Sequence, residues 1–222
     1  MGFQVAIDGP SASGKSSIAR EVAKEFNFIH INTGLMYRAM AYQALLSDID
    51  LQDEEALGEL IDNTSLELTA DQKVLINGND VSDKLKTVSL EASTISAFPL
   101  VREKLVKKQQ EMASVIDCVM DGRDIGTVVL PTADVKIFIT AAIEDRVQRR
   151  TNELLRQKID CNYDEILADM IQRDYQDANR PVGALKQADD ALLIDTTGNT
   201  FEESAELVIQ LIREHLRKDV TQ

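Results

Sequence analysis

The feature that most constrains the fold of this chain is a glycine-rich segment near its N-terminus, Gly9 to Ser16, which reads GPSASGKS. A short apolar run, Phe3 to Ile7, precedes it, and a stretch with apolar residues at helical spacing follows it. In this order of strand, loop and helix, glycines let several backbone N–H groups point at one phosphate. The segment therefore predicts a site for nucleotide phosphates, and the alternative is a turn that only caps a helix. Lys15 would bring a mobile charge to the outer phosphates, and Ser16 would offer a hydroxyl to Mg²⁺.

The composition limits the classes of function that the chain can have. A formal net charge of −14 argues against binding nucleic acid by bulk attraction. Hydrophobic content of 44% and charged content of 28% are typical of a soluble globular protein, and 222 residues suffice for one core with a small accessory lobe. Cys118 and Cys161 lack metal-ligand spacing and are predicted to be reduced thiols. The early first strand predicts no signal peptide, and no apolar run approaches membrane-spanning length, so we expect a cytoplasmic protein without membrane contact.

Predicted strands and helices alternate along most of the chain. Apolar runs at 28–31, 117–120, 135–139 and 191–194 are predicted strands, and helical patterns lie between them. This alternation predicts a parallel sheet that is covered on both faces and binds its ligand at the carboxyl ends of the strands. The segment 65–77 differs, because an alternating run at 65–69 and a second predicted strand at 73–77 flank a turn at 70–72, and Asn77-Gly78 gives a hairpin signal. We interpret it as an inserted antiparallel lobe.

Several arginines lie where they could serve phosphoryl transfer, which depends mainly on positioned positive charge. Arginine stays charged, and its planar fork grips phosphate at two points. Arg38 follows the loop after the second predicted strand, Arg123 follows the strand at 117–120, and Arg173 and Arg180 lie on one predicted helix. The alternative for any single arginine is a solvated surface charge. For Arg123, a glycine-containing loop at a strand end favours a functional role.

Two acids flank Arg123, in the segment DGRD. Asp121 ends a predicted strand, where P-loop proteins often place a carboxylate near Mg²⁺. Asp124 would repel an anionic substrate unless it accepts hydrogen bonds from the amino group of a base, and the alternative is that it caps the following turn.

His30 falls inside a strand pattern and is predicted to be a packed structural histidine.

Segments along nearly the whole chain, in order, together resemble the bacterial cytidylate kinases: IDGPSASGKSS, NTGLMYRAMA, INGNDVSDKLKT, FPLVREKL, MDGRDIGTVVLPTADVKIFITA and RDYQDANRPVGAL. The resemblance implies the nucleoside monophosphate kinase fold, with a parallel five-stranded α/β core, helices on both faces, a lid, and an NMP-binding lobe that contains a small antiparallel sheet. It implies transfer of the γ-phosphoryl group of ATP to CMP or dCMP with Mg²⁺, giving CDP or dCDP and ADP. We also expect small-molecule partners only and a monomeric enzyme.

Carried over by position, the resemblance divides the chain and assigns its site residues. The core would comprise 1–36, 87–150 and 172–222, and the lid 151–171. The NMP-binding lobe would be 37–86, with its antiparallel insert around 63–83 and a helix at 87–97 packed beside it. Donor-binding positions are Gly9, Pro10, Ser11, Ala12, Ser13, Gly14, Lys15, Ser16, Ser17, Arg149 and Arg150, with Ser16 as the metal ligand. Acceptor-binding positions are Thr33, Arg38, Arg123 and Arg180 for the phosphate, Ser93, Arg102 and Asp124 for the cytosine ring, and Asp177 for the ribose. The catalytic set is Lys15, Arg123, Arg173 and Arg180.

The base-reading assignment agrees with the chemistry of the two pyrimidines. Cytosine presents an amino donor and ring acceptors, which a carboxylate and an arginine complement. Uracil would leave Asp124 facing an oxygen with no proton to share, and an unpaired buried group can discriminate strongly. Two alternatives remain at this point. One is a different small-molecule P-loop kinase, which has no need of the hairpin lobe. The other is a GTPase-like switch, for which the chain lacks an Asn-Lys-x-Asp motif.

The chain departs from the pattern of the resembled family at two positions. Asn32 stands where Asp is common, which removes a negative charge near the site. Lys86 stands where Arg is usual, which keeps the charge but loses the fork.

Overall fold

Strands and helices alternate along the chain, and a short antiparallel sheet interrupts them once. The computed structural model describes residues 2–69, 71 and 73–219. The elements in order are β1 (Gln4–Asp8), α1 (Lys15–Phe26), β2 (Ile29–Asn32), α2 (Thr33–Leu46), α3 (Glu54–Asp62), β3 (Leu66–Leu68), β4 (Val74–Ile76), β5 (Asn79–Asp80), α4 (Ser89–Ile95), α5 (Pro99–Ala113), β6 (Cys118–Gly122), β7 (Val135–Thr140), α6 (Ile143–Arg156), α7 (Tyr163–Asn179), β8 (Leu192–Asp195) and α8 (Phe201–Asp219). A 3₁₀ turn spans Ser82–Lys86, and a π-helical turn spans Ile125–Val129.

The larger sheet is parallel, in the order β2-β6-β1-β7-β8. Every residue of its central strand β1 is buried, as expected when helices cover both faces. Asp8 pairs in register with Gly122, and Asn32 with Asp121, so β1, β2 and β6 end at one edge of the sheet. The loops after these three strands therefore emerge side by side, as the sequence pattern predicted.

The alternation of β1 divides the core into two layers. Val5 and Ile7 pack on one face with Ile18 of α1 and Ile212 of α8. Ala6 faces the other way, into a layer that also contains residues of β6, α2, α5 and the π-helical turn. Each fully buried aliphatic side chain of this kind contributes about 1.5–3 kcal/mol to folding. The two layers hold β1 from both sides, and with it the start of the glycine-rich loop.

The smaller sheet is antiparallel, in the order β3-β4-β5. Asn77 and Gly78 have φ values of 50° and 79°, which are the positive angles that a tight two-residue hairpin needs. Val74 and Ile76 bury one face of this sheet in a second core with Leu57, Ile61 and other residues of the α2–α5 region. The predicted hairpin at Asn77-Gly78 is thus confirmed, while Ala70 and Gln72 of the predicted turn at 70–72 lie outside the described residues.

Two predicted boundaries are wrong in ways that affect the site. The strand expected to end at Met120 continues through Asp121 and Gly122, because both residues still pair with β1. The helix expected to include Arg180 ends one residue earlier, and Arg180 has an extended backbone with φ −60° and ψ 141°. Pro181 follows it, and the residue before a proline disfavours the helical region. The division into core, lobe and lid stays a prediction. No helix in the described ranges is long and apolar enough to span a membrane.

Candidate active site

The loop between β1 and α1 forms a cradle of backbone amides. A side chain at Gly9 would place its Cβ 2.1 Å from the carbonyl oxygen of Ile139, so only glycine fits against β7 there. Ala12 and Gly14 take left-handed φ values of 57° and 91°, which curl the loop tightly. No side chain in the described part of the molecule caps the N-terminus of α1, which begins at Lys15. The first N–H groups of this helix are therefore available to an anion.

The Lys15 side chain folds back over this loop. Its Nζ donates a hydrogen bond to the carbonyl oxygen of Pro10 at 3.0 Å, and the residue is only 6% exposed. Burial, reinforced by the nearby charge of Arg123, lowers the pKa of the Lys15 ammonium group from its usual 10.5 to about 7. A phosphate group beside Lys15 would give the buried ammonium group a negative partner. The site therefore favours a ligand that carries phosphate.

A carboxylate and a hydroxyl meet at the edge of the cradle. Asp121, at the end of β6, accepts a hydrogen bond from Ser16 Oγ at 2.5 Å, and its other oxygen lies 2.7 Å from His30 Nε2. Burial raises the pKa of the Asp121 carboxyl, but the His30 contact, the Lys15 charge and the Ser16 hydrogen bond outweigh it and hold the pKa below its usual value. His30 is buried as predicted, and it supports a polar group at the site rather than filling apolar space.

A cleft of about 500 Å³ opens beside the cradle. It brings together most of the predicted site residues, although they come from distant parts of the chain. Those that line it are Ser11, Ala12, Gly14, Lys15, Ser16, Ser17, Thr33, Arg38, Ser93, Arg102, Arg123, Asp124, Arg150, Arg173, Asp177 and Arg180. The remaining predicted residues, Gly9, Pro10, Ser13 and Arg149, do not line it. We call this space the arginine cleft.

Two of its arginines share one carboxylate. Asp177 accepts a hydrogen bond from Arg123 Nε at 2.6 Å and forms an ion pair with Arg180 at 3.2 Å. Arg180 Nε is buried and has no hydrogen-bond partner in the part of the chain that the structure describes. Burial and the charge of Arg123 also lower the pKa of the Arg173 guanidinium. Buried cations with incomplete pairing favour a ligand that is strongly negative.

A second pair of side chains forms the inner end of the cleft. Arg102 and Asp124 form a buried ion pair, and the Arg102 guanidinium lies 5.7 Å from the centre of the Tyr37 ring. Gly183 covers this pair: its φ is +65°, and a Cβ there would stand 2.2 Å from an Arg102 nitrogen. Sequence reasoning missed Tyr37 and Gly183, because neither position has chemistry that points to a ligand by itself.

Two other predicted acceptor-binding side chains already have protein partners. Arg38 donates to the carbonyl oxygen of Leu85 at 3.5 Å and to Ser89 Oγ at 3.2 Å. The Thr33 hydroxyl donates to the backbone oxygen of Asp121 at 2.8 Å, which ties the start of α2 to β6. Both residues are therefore held in place at the wall of the cleft.

A second cleft of about 500 Å³ borders the same cradle and shares Ala12, Gly14, Ser17, Arg150 and Glu153 with the arginine cleft. Arg149 borders it and donates to the carbonyl oxygens of Ser13 at 3.3 Å and Thr196 at 2.7 Å. The start of α8 and the segment before it form another part of its wall, through Asn199, Thr200 and Phe201, which the sequence did not indicate. Two ligand-sized spaces thus border one amide cradle.

The family of the chain is decided by its similarity to known sequences. The pattern of the family described as cytidylate kinase matches residues 5–214. The chain belongs to the cytidylate kinase family. It is 44% identical over 220 residues to the cytidylate kinase of Bacillus subtilis (strain 168), covering 97% of this chain and 98% of that protein. It is 43% identical over 220 residues to the cytidylate kinase of Bacillus licheniformis, covering 96% and 97%. The resemblance seen in the motifs is thereby confirmed.

Solved structures support the fold of this cytidylate kinase family member. A gluconokinase from Sinorhizobium meliloti 1021 superposes with a TM-score of 0.50 at 13% identity, covering 98% of this chain and 97% of that one. At such low identity the similarity concerns the fold alone. The predicted fold class is confirmed by the five-stranded parallel sheet, its helices and the small antiparallel sheet.

The structure accounts for both departures from the cytidylate kinase pattern. The Asn32 side chain caps α2, where its Oδ1 accepts the N–H of Leu35 at 3.0 Å, so an amide oxygen performs the task that a carboxylate oxygen could perform. Lys86 pairs with Asp83 at 3.0 Å on the surface, with 70% of its side chain exposed, and it does not line the arginine cleft.

Proposed function

We propose that the protein is a cytidylate kinase that transfers the γ-phosphoryl group of ATP to CMP or dCMP, giving CDP or dCDP and ADP. The observation that carries this proposal is the arginine cleft, which faces the amide cradle and ends in a carboxylate–arginine pair. The arginines of the cleft suit a second phosphate, and the carboxylate–arginine pair suits a cytosine ring. A kinase whose acceptor has neither a phosphate nor a base would need neither feature, and a nucleotide switch would need no arginine cleft.

The donor phosphates would lie in the cradle, with Lys15 between them and the arginine cleft. The ATP base and ribose would lie in the cleft beside Arg149, and Arg149 and Arg150 would add positive charge near the phosphates. Mg²⁺ would be held by Ser16 and Asp121 together with phosphate oxygens and water, since a hydroxyl and a carboxylate are the hard oxygen ligands it prefers. When bound, the ion neutralises charge on the transferring group.

The acceptor phosphate would be gripped by Arg38, Arg123 and Arg180. It is already ionised near neutral pH, so the reaction needs alignment and charge stabilisation but no general base. Arg173 would stabilise the charge that builds up between donor and acceptor oxygens. Thr33 would keep the wall of the phosphate site in place, and Asp177 would contact the ribose.

Arg102, Asp124 and Ser93 would read the cytosine ring. Arg102 and Asp124 are buried and paired with each other, which would fix their orientation for base recognition. Asp124 can accept the amino group of cytosine but meets an acceptor in uracil. We also predict that residues 151–171 close as a lid and exclude water, and that the enzyme is monomeric and cytoplasmic.

The test is a comparison of phosphate acceptors. ADP release from ATP should be measured with CMP, dCMP, UMP, AMP and shikimate at equal concentration, with Mg²⁺ present. We expect CMP and dCMP to be used at least about tenfold better than UMP, because the wrong base leaves buried polar groups unpaired. Turnover with shikimate but not CMP would overturn the proposal. Tight GTP binding with slow hydrolysis and no acceptor would do so equally, in favour of a switch.

A further inference from the structure

One buried carboxylate connects the amide cradle with the segment after β6, and it lines neither cleft. Asp8 is the last residue of β1, directly before Gly9, and it is only 4% exposed. Its Oδ1 accepts the backbone N–H of Ile125 at 2.8 Å, and its Oδ2 accepts that of Gly126 at 2.7 Å. The strand that begins the phosphate cradle is thereby bonded to the segment after β6.

The two N–H groups that donate to Asp8 belong to the first two residues of the π-helical turn Ile125–Val129. This turn starts from Asp124, whose carbonyl oxygen accepts the N–H groups of Val128 at 2.8 Å and Val129 at 3.2 Å. Fixing the turn therefore fixes the backbone of the residue assigned to read the base. Arg123, assigned to the acceptor phosphate, is the residue before it.

Asp124 occupies the position from which a carboxylate ordinarily caps a turn, yet its side chain makes no capping bond. Its carboxylate binds Arg102 instead. Asp8, 117 residues earlier in the chain than Ile125, caps the turn in its place. Burial, opposed by the two amide hydrogen bonds and assisted by repulsion from Asp124, raises the pKa of Asp8 from 3.8 to about 6. Near neutral pH the ionised Asp8 carboxylate accepts both amides, and the Asp124 carboxylate is left to Arg102.

We propose that Asp8 is a positioning residue for base recognition: it caps the turn that follows Asp124, and so leaves the Asp124 carboxylate free to read the acceptor base at a fixed distance from the phosphate cradle. This inference rests on the proposed function. It adds a specificity role for a residue that touches neither nucleotide.

The test is the Asp8→Asn variant, which keeps the size of the side chain but turns one amide donor toward a backbone N–H. We expect the CMP-to-UMP ratio of kcat/KM to fall about tenfold, the effect of losing one charge-assisted hydrogen bond. The KM for ATP should change less than about twofold, because the cradle keeps its own backbone contacts. Measuring both acceptors in competition in one sample makes the ratio independent of the fraction of folded enzyme.

Asp117→Asn is the matched control, because the Asp117 carboxylate also accepts a backbone amide, that of Phe3 at 2.6 Å, directly before the opposite end of β1. It should leave the ratio unchanged. In an Asp124→Asn background, Asp8→Asn should lower the ratio no further, since the reader that it positions is already lost.

If Asp8→Asn does not fold, Asp8→Ser retains one acceptor and should lower the ratio in the same direction. A wild-type ratio in whichever of the two variants folds would overturn the positioning role while leaving the cytidylate kinase proposal intact. A wild-type enzyme that does not phosphorylate CMP would instead overturn the proposed function itself.

Discussion

In the cradle, a single run of residues from Gly9 to Ser17 provides the binding groups, and most of them are backbone amides. In the arginine cleft, the binding groups are side chains from α2, α5, α7 and the segment after β6. The cradle therefore depends on local loop geometry and on close contact with the sheet. The cleft depends on the tertiary structure, because its guanidinium groups come from several different elements. The two regions should respond differently to substitution.

Lys15 is the exception within the cradle, because there the binding group is a side chain. Lys15→Ala should lower kcat by about a thousandfold or more, since phosphoryl transfer depends on charge at this point. The melting temperature should stay the same or rise, because burial disfavours the Lys15 charge, as its lowered pKa shows. Steady-state kinetics and thermal unfolding test both expectations. Lys24→Ala, on the exposed face of the same helix, is the control, and wild-type turnover in Lys15→Ala would contradict the assigned role.

The cleft should be sensitive to the shape of a cation as well as to its charge. Arg123→Lys keeps the charge but loses the fork that binds Asp177, and we expect kcat/KM for CMP to fall about a hundredfold. The KM for ATP should change little. Arg213→Lys, in a surface pair with Glu25, controls for the same change of residue outside the site. Equal losses for ATP and CMP would show that the two regions are not separable in this way.

Base recognition should respond to the loss of one charge. Asp124→Asn should reduce the CMP-to-UMP preference by about tenfold or more, because an amide can donate to the uracil oxygen that a carboxylate cannot serve. Parallel kcat/KM measurements with the two acceptors provide the test. Asp83→Asn, an exposed residue of the 3₁₀ turn, should leave the preference as it is. An unchanged preference in Asp124→Asn would remove it from the base site.

The contact between the two regions should depend on pH through Asp8. The folded protein holds this proton up to about pH 6, whereas the unfolded chain releases it near 3.8, so the carboxyl favours folding at low pH. That contribution, about 3 kcal/mol, should be lost as the pH rises from 4 to 7. The neighbouring charged groups are Asp124 and Lys15, and the Lys136 side chain lies near Gly126. Urea unfolding of wild type and Asp8→Asn should show their stability difference changing by this amount, and a constant difference would contradict the pKa.

The smallest effect is expected outside both regions. Lys86→Gln removes a surface pair with Asp83, and exposed pairs contribute about 0.2–1 kcal/mol. Turnover and acceptor preference should stay within about twofold of wild type, as an exposed group away from the cleft has no ligand to release. A larger loss would indicate that residue 86 reaches a nucleotide during turnover.

The sequence predicted the cradle well because all its parts are consecutive, so a local motif contains the whole geometry. It also identified Arg123 and Arg180 as candidates, but not that Asp177 pairs with both of them. The missing information is tertiary: Ser16 meets Asp121 across 105 positions, and Asp8 meets Gly126 across 118. Contacts of this kind follow from the order of the strands in the sheet, which spacing along the chain does not reveal.

The close approach of Gly9 to Ile139 has a consequence for how the molecule can move. With 2.1 Å between a hypothetical Cβ and that carbonyl oxygen, the beginning of the cradle is pressed against the neighbouring strand. It can therefore shift only if β1 and β7 shift together, and both are buried in the core. The phosphate-binding loop is therefore expected to keep its position relative to the sheet. We therefore expect the movement that brings two nucleotides together and releases the products to occur in the helices and in the small antiparallel sheet.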